Sequence, residues 1–235
     1  MLILALDSTA TVGSVALQRN GATLAQYTVN AGNTHSVTLL PMIEHMLKMT
    51  GVELDDIDML AASVGPGSFT GVRIGCAAIK GLAFGRDIPC VGVSTLEALA
   101  HNLRGCRGII CPAMNARRGQ VYTAIFEDTD EGIKRLTPDM AIAVTELAEM
   151  LSDFEGEVRF CGDGYSLVEN LTEHKTAEPA RLQSAISVAT VAEALYNATE
   201  DKSVFVSSAL NPTYLRKPQA EREREERLKA EGQEG

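Results

Sequence analysis

The sequence predicts an α/β fold built from two similar halves. Short apolar runs of strand length alternate with longer helical patterns along the chain. A series of strand, polar bend, strand, turn and strand occurs twice, with starts about 105 residues apart. At 235 residues the chain is long enough for one large domain or two small ones. The first half is expected over residues 1–104 and the second over 105–217, with a charged tail at 218–235.

Residues 2–6 form an apolar run ending in Asp7-Ser8-Thr9, and residues 13–17 form a second. Asn20-Gly21 supplies a two-residue hairpin turn, and residues 23–29 return as a third strand. A helix capped by Thr34 or Ser36 runs to about Met49 and closes at Gly51. Its apolar residues (Val37, Leu39, Leu40, Ile43, Met46 and Leu47) cover more than one narrow stripe, so it is packed on two sides. Pro41 inside it should lose one backbone bond and kink it.

Residues 59–64 are the next buried strand, followed by a glycine-rich stretch and a helix to about residue 85. Residues 90–93 form a short strand, and Ser94 or Thr95 caps a helix to Leu103. Arg104-Gly105-Cys106-Arg107-Gly108 reads as the junction.

In the second half, residues 109–114 form a strand, 115–119 a polar bend, 120–126 a strand, 128–132 a turn, and residue 133 begins a third strand. A short helix lies around 147–151, a strand at 157–161, and a turn at Gly162-Asp163-Gly164 precedes a helix over 166–171. Residues 184–198 are helical, and Pro212-Thr213-Tyr214-Leu215-Arg216 is a last ordered piece. Beyond Pro218 the chain alternates Glu with Arg and has no core face, which predicts disorder or a solvated helix.

A net charge of −10 argues against a stand-alone nucleic-acid binder, because phosphate contacts need a positive face. The opening apolar run is too short to span a membrane and lacks the basic start of a signal peptide. Five scattered cysteines (76, 90, 106, 111 and 161) read as reduced core residues without metal spacing. A soluble cytoplasmic protein is expected.

The stretch from Gly65 to Gly75, Gly-Pro-Gly-Ser-Phe-Thr-Gly-Val-Arg-Ile-Gly, has the most specific composition. Gly71, Gly75 and Ala78 place small residues along one helix face. Each interior glycine costs about 1 kcal/mol relative to Ala, a cost that packing must offset. A ligand phosphate or another protein element should press against this face. A phosphate loop needs Lys followed by Ser or Thr after its last glycine, and Val72-Arg73 stands there instead. The dinucleotide pattern fails at Thr70, and the nucleophile elbow fails at Pro66 and Thr70. Ser68 fits a helix cap better than a nucleophile.

Asp7-Ser8-Thr9 resembles the first phosphate loop of actin-like ATPases and sugar kinases, although Gly13 comes late for that role. The same residues also suit a polar hairpin bend. A lone actin-like ATPase or kinase using this loop is the alternative reading of the chain. His35 and His45 lie ten residues apart on one helix, roughly 15 Å at 1.5 Å per residue, too far to share a metal. Arg117-Arg118 could meet an anion or simply solvate a bend. No nucleophile with its base can be picked out.

Several stretches together resemble the bacterial TsaB family, also called YeaZ. They are Asp7-Ser8-Thr9 with Ser14-Val15-Ala16-Leu17, Thr34-His35-Ser36 with Leu39-Leu40-Pro41, and the glycine-rich stretch. Ala116-Arg117-Arg118-Gly119-Gln120-Val121-Tyr122 and Pro212-Thr213-Tyr214-Leu215-Arg216 complete the match, which ends near residue 217. Asn115 departs from the Asp usual in the family. The resemblance implies an actin-like, ribonuclease H-like fold of two similar α/β halves. It also implies a non-catalytic partner of the catalytic subunit TsaD. With TsaD and the ATPase TsaE, such a partner serves the transfer of threonylcarbamoyl to adenosine 37 of tRNA. ATP and a metal would be used by the complex through its partners, with none in the isolated chain, and tRNA would be met only through the complex. TsaD carries a His-x-x-x-His ligand pair on the corresponding helix, and here His35 is followed at position 39 by Leu. A metallopeptidase-like reading is disfavoured for the same reason.

On this reading the helices 35–49 and 71–85 form half of a four-helix contact. Its expected members are Leu39, Leu40, Ile43, Leu47, Gly71, Ile74, Gly75, Ala77, Ala78 and Leu82. The same face would pair with itself as a homodimer when TsaD is absent. Asp7, Ser8 and Thr9 would then be a vestigial phosphate loop. The glycine-rich stretch is read as a docking element first, with any nucleotide contact secondary.

Overall fold

The computed structural model describes residues 1–154 and 156–216. The expected tail at 218–235 lies outside the described residues. Strands β1 (Leu2–Asp7), β2 (Gly13–Arg19), β3 (Ala22–Val29), β4 (Met59–Gly65) and β5 (Cys90–Ser94) form the first sheet, in the order β3-β2-β1-β4-β5. The β1–β2–β3 meander is antiparallel, whereas β4 and β5 join in parallel. Asn20 and Gly21, at φ 51° and 78°, make the two-residue turn whose twist matches its strands.

The period-2 alternation of strands sorts side chains to two layers. Leu4, Leu6, Val15, Leu17 and Leu60 face helices α1 (His35–Thr50) and α2 (Phe69–Ala83), where they meet Leu39, Ile43, Met46, Val72 and Ile79. Ile3, Ala5, Ala16, Ala61 and Val91 face the other way, towards Ala185, Val188, Ala189 and Ala192.

The second sheet repeats this plan. Its central strand β6 (Gly108–Asn115) pairs antiparallel with β7 (Gln120–Thr123) and β8 (Phe126–Thr129). Ala113 faces Thr123 and Ile110 faces Phe126, one continuous register. The strand expected over 120–126 is therefore interrupted at residues 124 and 125. There the Ile125 N–H goes to Thr137 Oγ1 at 2.8 Å, and its carbonyl accepts from Leu136. Strands β9 (Gly132–Arg135) and β10 (Met140–Ala143) continue outward beside β8 and β7. Strand β11 (Val158–Cys161) pairs in parallel with β6, as β4 does with β1. The twofold use of one strand order makes this the actin-like, ribonuclease H-like arrangement of two similar halves.

Helix α3 (Thr95–His101) joins the halves. Ser94 caps it through the Glu97 N–H, and Leu96 and Leu99 are buried with Ile110, Met114 and Phe126. Helices α4 (Val144–Leu151) and α5 (Tyr165–Val168) cover the far side of the second sheet, and α6 (Glu178–Arg181) is a single turn. Helix α7 (Ala185–Ala198) returns to the first sheet and packs on β1, β2 and α3. Helix α7 and Thr213 thus pack with the first half, although they follow the second half in sequence.

One local detail at the start of α1 differs from expectation. Thr34 occupies the start of α1, but its side chain makes no capping bond; the Val37 N–H goes to its carbonyl instead. Helix α1 runs unbroken through Pro41. Pro41 and Val37, whose carbonyl loses its intrahelical partner, both lie on the exposed side. Of the five cysteines, Cys106 is exposed in the junction, and the other four are buried.

Candidate functional site

The carboxyl ends of β1, β4 and β6 converge on a cleft of about 600 Å³ between the halves. Thr9, Asn33 and Phe69 line it from the first half, and Asn115, Arg117 and Asp163 from the second. Clefts at the carboxyl ends of strands are the usual ligand position in open α/β folds.

Asp7 ends β1 beneath this cleft but does not open into it. It is 1% exposed. Its Oδ1 accepts from Thr9 N at 2.8 Å and Thr9 Oγ1 at 2.7 Å, and its Oδ2 accepts from Ser63 Oγ at 2.5 Å. Burial pushes the carboxyl above its ordinary value, against the pull of those three hydrogen bonds. Ser8 Oγ donates to the Gly71 carbonyl at 2.9 Å. Each side-chain polar group of Asp7, Ser8 and Thr9 is therefore used within the chain.

Helix α2 holds the loop shut. A Cβ on Gly67 would lie 2.5 Å from the Thr9 carbonyl oxygen, and one on Gly75 would lie 2.5 Å from Ser8 Oγ. At Gly71 it would overlap the Ser8 carbonyl. These are separations that side chains do not tolerate, so glycine is required for α2 to lie on the loop. Ser68 caps α2 by accepting from the Gly71 N–H, as expected from its position. Gly65, at φ 116°, lets the Thr213 carbonyl approach its Cα.

On the cleft's other wall, the Asn115 side chain accepts from the Arg117 N–H at 2.8 Å, closing the bend before Arg117 and Arg118. A carboxylate would make the same bond, so the Asn at this position costs the bend no hydrogen bond. Arg117 and Arg118 both hold positive φ, 63° and 54°, an uncommon conformation for two successive side-chain-bearing residues. Asp163 accepts from the Asn115 N–H at 3.2 Å; burial, with Asp7 nearby, raises its carboxyl. His35 Nε2 donates to the Ala10 carbonyl at 2.6 Å, whereas the exposed His45 meets Tyr27, so the two histidines serve separate contacts.

Helices α1 and α2 lie side by side and present apolar residues outward. Val37 (63% exposed) and Leu40 (52%) stand on α1, with half-buried Leu47 two turns on. On α2, Ala77 and Gly81 are exposed, and Ile74, Ala78 and Leu82 are half-buried. Phe84, just past the end of α2, is 84% exposed.

The comparisons with known proteins bear on both features. The model of the TsaD family, tRNA N6-adenosine threonylcarbamoyltransferase, matches residues 29–224. The tRNA threonylcarbamoyladenosine biosynthesis protein TsaB of Bacillus subtilis is 33% identical over 221 residues, 94% of this chain and 96% of that protein. Its namesake from Escherichia coli is 33% identical over 223 residues, covering 92% and 95%. The chain belongs to the TsaB family. A solved structure of YeaZ from Pseudomonas aeruginosa superposes on this TsaB-family chain with a TM-score of 0.77 and 26% identity, covering 91% of this chain and 99% of that one.

The expected partner-facing residues of this family member fall into three groups. Leu40, Leu47, Ile74, Ala77, Ala78 and Leu82 reach the surface wholly or in part. Leu39 and Ile43 do not: at 1% and 2% exposure they are core residues against the first sheet. Gly71 and Gly75 also turn inward, because the element pressing on them is the chain's own Ser8 rather than a partner helix. Val37, Gly81 and Phe84 take part in the outward surface and were not among the expected members. Their signal was the helical period: Val37 precedes Leu40 by three residues, and Gly81 follows Ala77 by four.

Proposed function

We propose that this TsaB-family chain is a non-catalytic subunit of the machinery that installs N6-threonylcarbamoyladenosine at position 37 of tRNA. It would scaffold and activate the catalytic subunit TsaD, together with the ATPase TsaE, in the cytoplasm. The observation that carries this reading is the closure of the Asp7–Thr9 loop by α2. A phosphate loop must present backbone and hydroxyl groups to the ligand, and its carboxylate must reach a hydrated metal. Asp7 has both oxygens engaged and is buried, so these residues do not fit a metal-bound nucleotide.

The outward stripes on α1 and α2 support a partner face. Val37, Leu40, Ile74, Ala77 and Gly81 offer apolar and small surface on two adjacent helices, suited to close helix packing. A symmetric use of the same patch gives a homodimer in the absence of TsaD. The acidic chain would meet tRNA only within the complex.

Reconstitution tests the role: tRNA modification by TsaC, TsaD and TsaE should depend on addition of this chain. Ala77→Arg should abolish co-purification with TsaD while leaving the circular dichroism spectrum and melting temperature in place. Undiminished binding of that variant would remove the face from the proposal. ATP binding and turnover by the isolated chain, in a calorimetric titration with Mg²⁺, would favour the lone ATPase instead.

A further inference from the structure

Proteins built of two halves around a cleft can work by hinge closure around a ligand. Two polar clamps join the halves of this chain in addition to the buried apolar contacts of α3. The first is a strap over residues 211–216, which crosses from one half to the other. Its Thr213 N–H donates to the Val64 carbonyl at 2.7 Å, and Asn211 Oδ1 accepts from Lys80 Nζ at 3.3 Å. The Tyr214 ring rests on Phe69 at 4.8 Å between centroids, and its hydroxyl accepts from Arg73 Nε at 2.8 Å. The Arg73 guanidinium lies 3.8 Å over the Phe69 ring, so the first-half end of the strap is held from three sides. At the other end, Arg216 donates to the Ala116 carbonyl at 3.1 Å and to the Gln120 side chain. Both acceptors belong to the β6–β7 hairpin of the second half.

The second clamp centres on Arg135 of β9. Its guanidinium donates to Asp139 Oδ1 at 2.6 Å and to Glu97 Oε2 on α3 at 3.0 Å, and lies 4.6 Å from the Phe126 ring centroid. The free oxygen of Asp139 accepts from Ser94 Oγ at 2.9 Å, at the end of β5 in the first sheet. The three charged side chains are 17–30% exposed, so solvent screens the network only in part.

We propose that these two clamps lock the halves into one rigid body, so that the cleft between them does not open and close by a hinge. A hinge must let residues 64–73 separate from 116–120, or residues 94–97 from 135–139. Each separation would break charge-assisted bonds held by a single arginine.

Residual dipolar couplings of the full chain test this. In the unmutated protein, the amides of the first sheet and those of the second should fit one alignment tensor. In the double variant Arg135→Met, Arg216→Met, which keeps the apolar stems and removes the donors, the two sheets should need separate tensors. Two tensors in the unmutated protein would overturn the proposal. So would one shared tensor in the double variant, since the lock would then lie in the joint at α3. Should the double variant fail to fold, the pair Arg216→Met, Asp139→Ala replaces it, because losing Asp139 cuts the second clamp at Ser94, and one shared tensor there would overturn the proposal.

Discussion

Gly71 packs its Cα directly on the carbonyl oxygen of Ser8, and a methyl group there would overlap that oxygen. This contact turns the glycine-rich stretch from a ligand loop into an internal packing device. Gly71→Ala and Gly75→Ala should each destabilise the protein by about 1–3 kcal/mol, the usual cost of overpacking a closed site. Gly81→Ala is the control, because nothing lies within 4 Å of a Cβ there. It should stabilise α2 by roughly 0.5–1 kcal/mol through backbone entropy alone. Urea melts of the three variants check the contrast, and equal destabilisation at positions 75 and 81 would contradict it.

Adjacent residues on α1 should behave in opposite ways. Leu39 is buried with Val15, Leu17 and Ile43, so Leu39→Ala should cost about 2–5 kcal/mol. Leu40 is half exposed, so Leu40→Arg should change stability by no more than about 0.5 kcal/mol. The second change should nevertheless shift the chain towards monomer in sedimentation velocity if the outward stripe is the self-association face. A Leu40→Arg protein with undiminished self-association would place that contact elsewhere.

The contrast at Leu39 and Leu40 also marks how far the sequence could be read. Local signals located most of the strands, the Asn20-Gly21 turn, the Ser68 cap and the doubled strand series, because period, turn chemistry and caps act within a few residues, but β10 was not among them and β8 was read in part as a turn. The apolar content of α1 and the small residues of α2 were equally visible, but their directions were not. Which glycines faced Ser8 depended on a contact between positions more than sixty residues apart. The same holds for the strap, whose Thr213 and Arg216 bond to residues about 150 and 100 positions earlier. The break at residues 124–125 was hidden because its cause, the Thr137 hydroxyl, lies in the bend between β9 and β10, a dozen residues on.

Stability should depend on pH through Asp7. Its folded carboxyl stands above the unfolded value of 3.8 because burial disfavours the charged form. The native state therefore holds more protons than the unfolded state above that value, and its stability declines as pH rises through the folded pKa. Asn at this position can accept from Thr9 and donate to the Ser63 hydroxyl, so Asp7→Asn should retain the fold. The stability advantage of the variant over the unmutated protein should grow as pH rises above the unfolded value of 3.8. Asp163 carries the same sign in both proteins and loses one raising influence when the Asp7 charge is gone. An advantage that shrinks with rising pH would mean that the Asp7 charge stabilises the fold.

Thiol chemistry should separate Cys106 from the other cysteines. Cys76 and Cys90 are pushed up to about 11 and Cys111 to about 12, in each case chiefly by burial, and Cys161 is raised further by the same cause. A buried thiol above the working pH offers little thiolate and no access to a reagent. Cys106 is exposed in the junction between the halves. Titration of the native protein with an aromatic disulfide reagent near neutral pH should release one equivalent quickly, and denaturant should release the other four. Cys106→Ser should abolish the fast equivalent without changing the slow ones. A second fast thiol in the native chain would show that the α2 or second-sheet core opens more readily than its packing implies.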